Sequence, residues 1–151
     1  MKYWIEKTGA IAQAYDEHEQ PRFPGRGNRP DGQKFELVTV IFVLNVVETD
    51  QDRIKILNDA MQYVKPDGYI FIATRSKKDI ANAVKKGNNW TKLPSGAYVS
   101  DPRKKTIQCG VDDQDIPNLI LKSDYRHFTY KELNEHPGSE IGCALFQNTR
   151  T

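Results

Sequence analysis

From residue 37 to 47 the chain reads LVTVIFVLNVV, an almost unbroken apolar run dominated by β-branched residues. The run lacks the alternation of a half-exposed strand, so it predicts a strand covered on both faces in the middle of a parallel sheet. Thr49 or Asp50 then caps a helix whose apolar positions Ile54, Leu57, Ala60, Met61 and Val64 recur at helical spacing. Lys65-Pro66-Asp67-Gly68 is a compact turn signal that ends this helix. Residues 69–74 (YIFIAT) form a second buried strand. Strand, helix and strand with short joints make a βαβ unit, whose right-handed crossover sets the two strands parallel.

The flanks carry weaker patterns. Residues 2–8 (KYWIEKT) read as the last turns of a helix stopping before Gly9, and residues 10–15 (AIAQAY) as a strand ending at Asp16. Pro21, Pro24, Gly25, Gly27, Pro30 and Gly32 then crowd a loop. Beyond Ser76, residues 77–86 predict a short helix with Ile80, Ala83 and Val84 inward. Residues 90–99 and 104–109 flank a Ser-Asp-Pro turn and suit a hairpin. Residues 111–123 are acidic and read as a loop. Thr129, with Glu132 three residues on, is the capping-box signature of a helix over 129–135. Residues 143–147 read as a final edge strand. The expected fold is α/β: one domain over 1–151, with a core βαβ portion in 1–76, a C-terminal portion in 77–151, and a mostly parallel sheet flanked by helices.

Composition narrows the class. The chain has 151 residues, 38% hydrophobic and 28% charged, as a soluble globular domain would. No apolar run reaches membrane-spanning length, and the first ten residues lack the apolar core of a signal peptide. Cys109 and Cys143 are the two cysteines, far apart and without CxxC or Cys/His ligand spacing. They read as reduced thiols, with a cytoplasmic location and no metal expected. The formal net charge is +2, but it is unevenly spread. Residues 75–105 hold nine lysines and arginines against two acids, whereas residues 111–140 hold seven acids against three bases. The basic stretch suits either a nucleic-acid surface or a set of solvated lysines.

Ligands of an open parallel sheet gather at the carboxyl ends of its strands. Those ends carry Asp16, then residues 45–50, then Thr74-Arg75-Ser76. A carboxylate such as Asp16 can accept both hydrogen bonds of a ribose diol, or it can simply cap a turn. Gly25, Gly27 and Gly32 do not follow a strand and open a helix, so they make no phosphate-binding fingerprint.

These joints carry a resemblance. Residues 35–53 (FELVTVIFVLNVVETDQDR) resemble the fourth strand and following turn of class I S-adenosylmethionine-dependent methyltransferases. VLNVVE, an arginine-containing helix and then VKPDGYIFIATRS resemble in particular the methyltransferases that accompany DNA-modification and phosphorothioation gene clusters. Ala14-Tyr15-Asp16 matches that group's Gly/Ala-Tyr-Asp triplet, and NNWTKLPSGAYVSDPRKKTIQ resembles its later region of tryptophan, glycine, turn and Thr-Phe-Gln, the last reading Thr106-Ile107-Gln108 here. The likeness covers about residues 3–108. It implies a Rossmann-like fold and S-adenosylmethionine as cofactor. Asp16 would bind the ribose, Val43, Leu44, Asn45 and Val46 would line the adenine and methionine side, and Arg75 and Ser76 would face the methyl acceptor. Such a site works by positioning a nucleophile in line with the transferred methyl and excluding water. No residue stands out as a general base; His18 is the nearest, and it suits a surface loop.

The chain departs from that family in one respect: the first strand and its glycine-rich turn are not matched. In the parent fold that strand lies between the strand ending at Asp16 and the strand ending at Asn45. Two apolar edges then need cover, by direct pairing, a second copy or another polypeptide. The resemblance therefore implies a methyltransferase-like domain whose cofactor site a partner or second copy completes. The alternative is a non-catalytic module binding nucleic acid or a DNA-modification protein through residues 75–105.

Overall fold

A computed structural model describes Gly9, residues 12–15 and residues 32–149. Two compact units divide the chain, Met1–Lys34 and Phe35–Thr151. In the first, residues 12–15 are irregular where a strand was expected over 10–15. Alanine and glutamine have little β-propensity, and Ala12-Gln13-Ala14 contains no β-branched or aromatic residue. The helix expected at 2–8, Asp16, His18 and most of the proline-rich loop lie outside the described residues.

The second unit begins with β1 (Phe35–Ile41), a 3-10 turn (Leu44–Val46), α1 (Asp50–Met61) and β2 (Val64–Arg75). α2 (Lys77–Lys85), β3 (Thr91–Lys92), β4 (Tyr98–Asp101) and β5 (Thr106–Gln108) follow, then α3 (Asp115–Leu121), β6 (Thr129–Lys131) and β7 (Ile141–Gln147). One sheet has the order β1-β2-β7-β6, and β3-β4-β5 make a second, antiparallel sheet. β1 and β2 are parallel, as the βαβ unit requires. The pairings of β7 with β2 and with β6 are antiparallel. The principal sheet is therefore mixed among the described residues, in place of the mostly parallel sheet expected.

The βαβ joints follow their sequence signals. Thr49 caps α1, its hydroxyl oxygen accepting the Asp52 N–H at 3.2 Å. α1 stops at Met61, earlier than expected, and Val64 already belongs to β2. The Lys65-Pro66-Asp67-Gly68 signal is realised as a bulge inside that strand. Phe35 pairs with Val64, but Leu37 pairs with Tyr69, so the bulge absorbs the intervening residues. Asn148 pins it: its N–H donates to Gly68 O and its carbonyl accepts the Asp67 N–H, both at 2.8 Å. Asp67 takes φ 63°, which aspartate tolerates better than most residues.

β1 runs only to Ile41 and is covered on one face, not two. Val38 and Val40 turn into the core, whereas Leu37 and Ile41 are 55% and 48% exposed. Among the described strands β1 is an edge, paired on one side only, with β2. The core lies on the face to which Val38 and Val40 turn. Leu57 and Met61 of α1 and Ile116, Leu119 and Ile120 of α3 pack there against Val40, Ile70, Ile72, Ala144 and Phe146.

Three C-terminal expectations are corrected. The acidic stretch 111–123 is not a loop but contains α3, whose buried Ile116, Leu119 and Ile120 recur at i, i+3, i+4. Residues 129–131 form β6 rather than a helix start; pairing along β7 and the edge-on packing of Tyr130 against Phe146 outweigh the local capping box. β7 starts at Ile141 and lies inside the sheet, between β2 and β6, rather than at its edge. Ala144 and Phe146 are buried accordingly. No helix among the described residues is long and apolar enough to cross a membrane.

Candidate functional site

The parallel strands β1 and β2 end side by side. Ile41 pairs with Ala73, and the next residue, Phe42, donates its N–H to Ala73 O at 2.8 Å. Phe42 then takes φ 58°, a conformation that costs a bulky residue on the order of 1–3 kcal/mol. That reversal throws the chain into the 3-10 turn. Val43 and Val46 project outward, each 39% exposed, while Leu44 and Asn45 are buried.

Asn45 ties the turn to its surroundings. Its side-chain amide donates to Gln108 Oε1 at 3.3 Å, its Oδ1 accepts the Arg75 N–H at 3.4 Å, and its backbone carbonyl accepts the Cys109 N–H at 2.8 Å. The fold thus brings Asn45 and Arg75 together at adjoining strand ends, as the sequence reading required. Their polar groups, however, already serve the protein. The Arg75 guanidinium pairs with Asp79, reaches Gln108 Oε1 at 3.4 Å and lies 5.5 Å over the Trp90 ring. Ser76 caps α2, accepting the Asp79 N–H and donating to Ser139 O at 2.9 Å. Trp90 and Tyr98, the aromatic residues within the basic stretch, are half-buried and tilt against each other at 6.3 Å. Asp16 lies outside the described residues.

Arg53 is the residue that the sequence reading left without a role. It is buried, and its Nε and Nη2 donate to the carbonyls of Leu44 at 2.9 Å and Val47 at 2.7 Å. Nη1 pairs with Asp50 at 2.9 Å. One planar guanidinium therefore braces both ends of the turn that presents Val43 and Val46. An arginine one turn into a capped helix is the signal in sequence, but such residues usually point to solvent.

Beside this brace a cavity of about 280 Å³ is lined by Asp50, Arg53, Lys77, Cys109, Gly110 and Asp115. Asp50, Lys77 and Asp115 are the first residues of α1, α2 and α3, so three helix N-termini meet there. Lys77 Nζ bridges to Asp115 Oδ2 at 3.0 Å. Burial pushes the Asp115 carboxyl up, but the Asp112 N–H and Lys77 outweigh it and hold it below the ordinary range. The bond to Asp115 raises Lys77 against the opposing effect of burial.

A pH dependence follows. The Asp115 contribution is present above the unfolded carboxylate pKa of about 3.9 and is lost as pH falls through its lowered folded value. That of Lys77 is present below about 10.4 and is lost as pH rises through its raised value. Both groups are partly exposed, so screening keeps the pair below about 1 kcal/mol. Melting curves of wild type and Asp115→Asn should therefore differ at neutral pH and draw together only as pH falls from about 4 through the lowered folded pKa. A constant offset down to strong acid would show that this ion pair is not the cause.

No protein-family model and no curated protein sequence matches the chain. Its structure resembles that of a SAM-dependent methyltransferase from Methanosarcina mazei, with a TM-score of 0.51 and 16% identity over 76% of this chain and 59% of that one. It also resembles an S-adenosylmethionine-dependent methyltransferase from Clostridium acetobutylicum, with a TM-score of 0.51 and 14% identity over 80% of this chain and 61% of that one. The chain thus adopts an α/β fold shared with these methyltransferases while spanning less than two thirds of their length.

Proposed function

We propose that this chain is a methyltransferase-like domain that takes S-adenosylmethionine at the carboxyl ends of β1 and β2, in a site completed by a further polypeptide along β1. The observation that carries this reading is the open flank of the 3-10 turn. Val43 and Val46 stand exposed beside Phe42, at the end of β1, an edge among the described strands whose outward residues Leu37 and Ile41 are apolar. In the parent fold that flank is where the first strand and its glycine-rich turn would lie. Apolar side chains at a strand end suit the flat faces of an adenine.

The fit to the cofactor is partial. Val43 and Val46 provide an apolar wall, and Asp16, by resemblance, a ribose ligand. Asn45 is already hydrogen-bonded within the protein, so it holds the wall in place rather than reaching a ligand. S-adenosylmethionine supplies, when bound, a methyl group on a sulfonium, and a displacement of that kind needs an aligned acceptor and a dry site. Arg75, fixed by Asp79 and Trp90, would form a rigid boundary on the acceptor side. The methyl acceptor and a link to DNA modification rest on the sequence resemblance alone.

Calorimetric titration with S-adenosylmethionine and S-adenosylhomocysteine tests the proposal, using the chain alone and together with any polypeptide that co-purifies from its native source. Micromolar binding to the complex is expected, weaker or absent for the chain alone, and lost in Asp16→Ala and Val43→Asp. If neither form binds at millimolar ligand, the proposal fails. The alternative, a nucleic-acid-binding module using residues 75–105, would instead show salt-dependent binding to single-stranded DNA or RNA. The engagement of Trp90 by Arg75 and Tyr98 weighs against that alternative, because it occupies the surface on which a base would stack.

A further inference from the structure

On the β7 side of the same strand ends, where Cys143 pairs with Ala73, the fold gathers three side chains that the sequence keeps apart. Asp113 lies between β5 and α3, His136 between β6 and β7, and Cys143 within β7. A carboxylate oxygen, an imidazole nitrogen and the thiol sulfur all lie within 4.8 Å of one another. Asp113 is already positioned: Oδ1 accepts the Cys143 N–H at 2.7 Å, and Oδ2 meets His136 Nε2 at 2.8 Å. A cavity of about 240 Å³ is lined by Asp113, His136, Ser139 and Gly142 among others, so small solutes can reach the carboxylate and the imidazole, while Cys143 is buried behind them.

Two uses of such a cluster can be weighed. A cysteine nucleophile needs a neighbouring base and a stabilised thiolate. Here both imidazole nitrogens are engaged elsewhere, Nδ1 by the Gly138 N–H at 3.0 Å and Nε2 by Asp113. Burial, reinforced by the Asp113 charge, also pushes the Cys143 thiol up. That arrangement is wrong for a nucleophile. It is different for a metal, which can displace the thiol proton and neutralise the two negative ligands.

We propose that Asp113, His136 and Cys143 form a binding site for one thiophilic divalent cation, Zn²⁺ by ligand type, with a fourth position open toward the adjoining cavity. One sulfur, one nitrogen and one oxygen suit zinc, whereas calcium and magnesium take oxygen ligands throughout. The cation takes the place of the hydrogen bond between His136 and Asp113, and the Cys143 thiol proton leaves to solvent. The imidazole proton moves from Nε2 to Nδ1, so the Gly138 N–H must turn away. Gly138 is exposed, at φ 129°, and apart from its chain neighbours no atom lies within 4 Å of where a Cβ would stand. Bound metal would join the β6–β7 connection to the segment entering α3 and raise stability through linkage.

The test uses the full chain freed of metal by chelation, titrated with ZnCl₂ and with CoCl₂. One equivalent should bind and raise the melting temperature. The Co²⁺ form should show a near-ultraviolet thiolate-to-metal band with visible bands of four-coordinate geometry. Cys143→Ser should remove the thiolate band, and His136→Ala, an exposed change that leaves the core intact, should weaken binding at least about tenfold. Cys109→Ser should change neither. Absence of stoichiometric binding, or a thiolate band that survives Cys143→Ser and vanishes in Cys109→Ser, would overturn the assignment.

Discussion

Arg53→Ala should destabilise the protein by about 3 kcal/mol, chiefly through the two carbonyls it abandons. Leu44 O and Val47 O receive the Nε and Nη2 protons at 2.9 and 2.7 Å, and Leu44 is fully buried. Each deserted acceptor costs about 1–3 kcal/mol when water cannot replace the donor. For a unit of this size the melting temperature should fall by roughly 10 °C. Arg53→Lys should recover only a minor share, because a single ammonium cannot span two carbonyls and the Asp50 carboxylate. The turn itself should loosen, so any affinity for S-adenosylmethionine at Val43 and Val46 should fall with it. Thermal unfolding of the three proteins gives the answer. A loss below about 1 kcal/mol would mean that the turn holds without its brace.

Gly142→Ala should be damaging for the opposite reason, an atom added where there is no space. A Cβ at residue 142 would stand 2.1 Å from Val111 O and 2.7 Å from Thr74 Oγ1. Thr74 is itself buried and donates its hydroxyl toward the carbonyls of Val111 and Gly142, at 2.7 and 3.1 Å. Relief requires moving the backbone at Val111, which is also bonded through its N–H to Arg75 O at 2.9 Å. Overpacking against backbone costs about 3 kcal/mol or more. Urea denaturation should show a lowered midpoint with an unchanged slope, as a stability effect demands. Because Asp113 and Cys143 flank the strained contact, the variant should also weaken Zn²⁺ binding. An unchanged midpoint would mean that β2, β7 and the 110–111 segment are less tightly packed than these contacts require.

Much of the first half of the second unit was legible because local and global signals agree there. The capping threonine, the helical spacing of Ile54, Leu57 and Met61, and the β-branched runs on either side each name the same βαβ unit. Legibility fell where a local signal was weak or outvoted. In α3 the acids at 112, 113 and 115 masked an i, i+3, i+4 apolar pattern. At 129–131 a genuine capping box lost to strand pairing with β7. The same limit applied to the candidate site. The positions of Val43 to Val46 and of Arg75 and Ser76 at neighbouring strand ends could be read from the βαβ unit. Their engagement could not: Asn45 and Ser76 spend their polar groups on Gln108 and Ser139, each 63 residues away in sequence.

The sequence by itself determined the elements whose stability is local: β1, the capped α1, the parallel return of β2, and α2. Periodicity and capping are properties of adjacent residues, so the chain declares them without reference to the rest. Only the tertiary structure decided that Leu37 and Ile41 of β1 are exposed, that β7 lies between β2 and β6, and that Arg53 turns inward to brace the turn. It alone brought Asp113, His136 and Cys143 within 4.8 Å. Those outcomes depend on which segments become neighbours across the sheet, and that is settled by burial and by the pairing of backbone groups over long sequence separations.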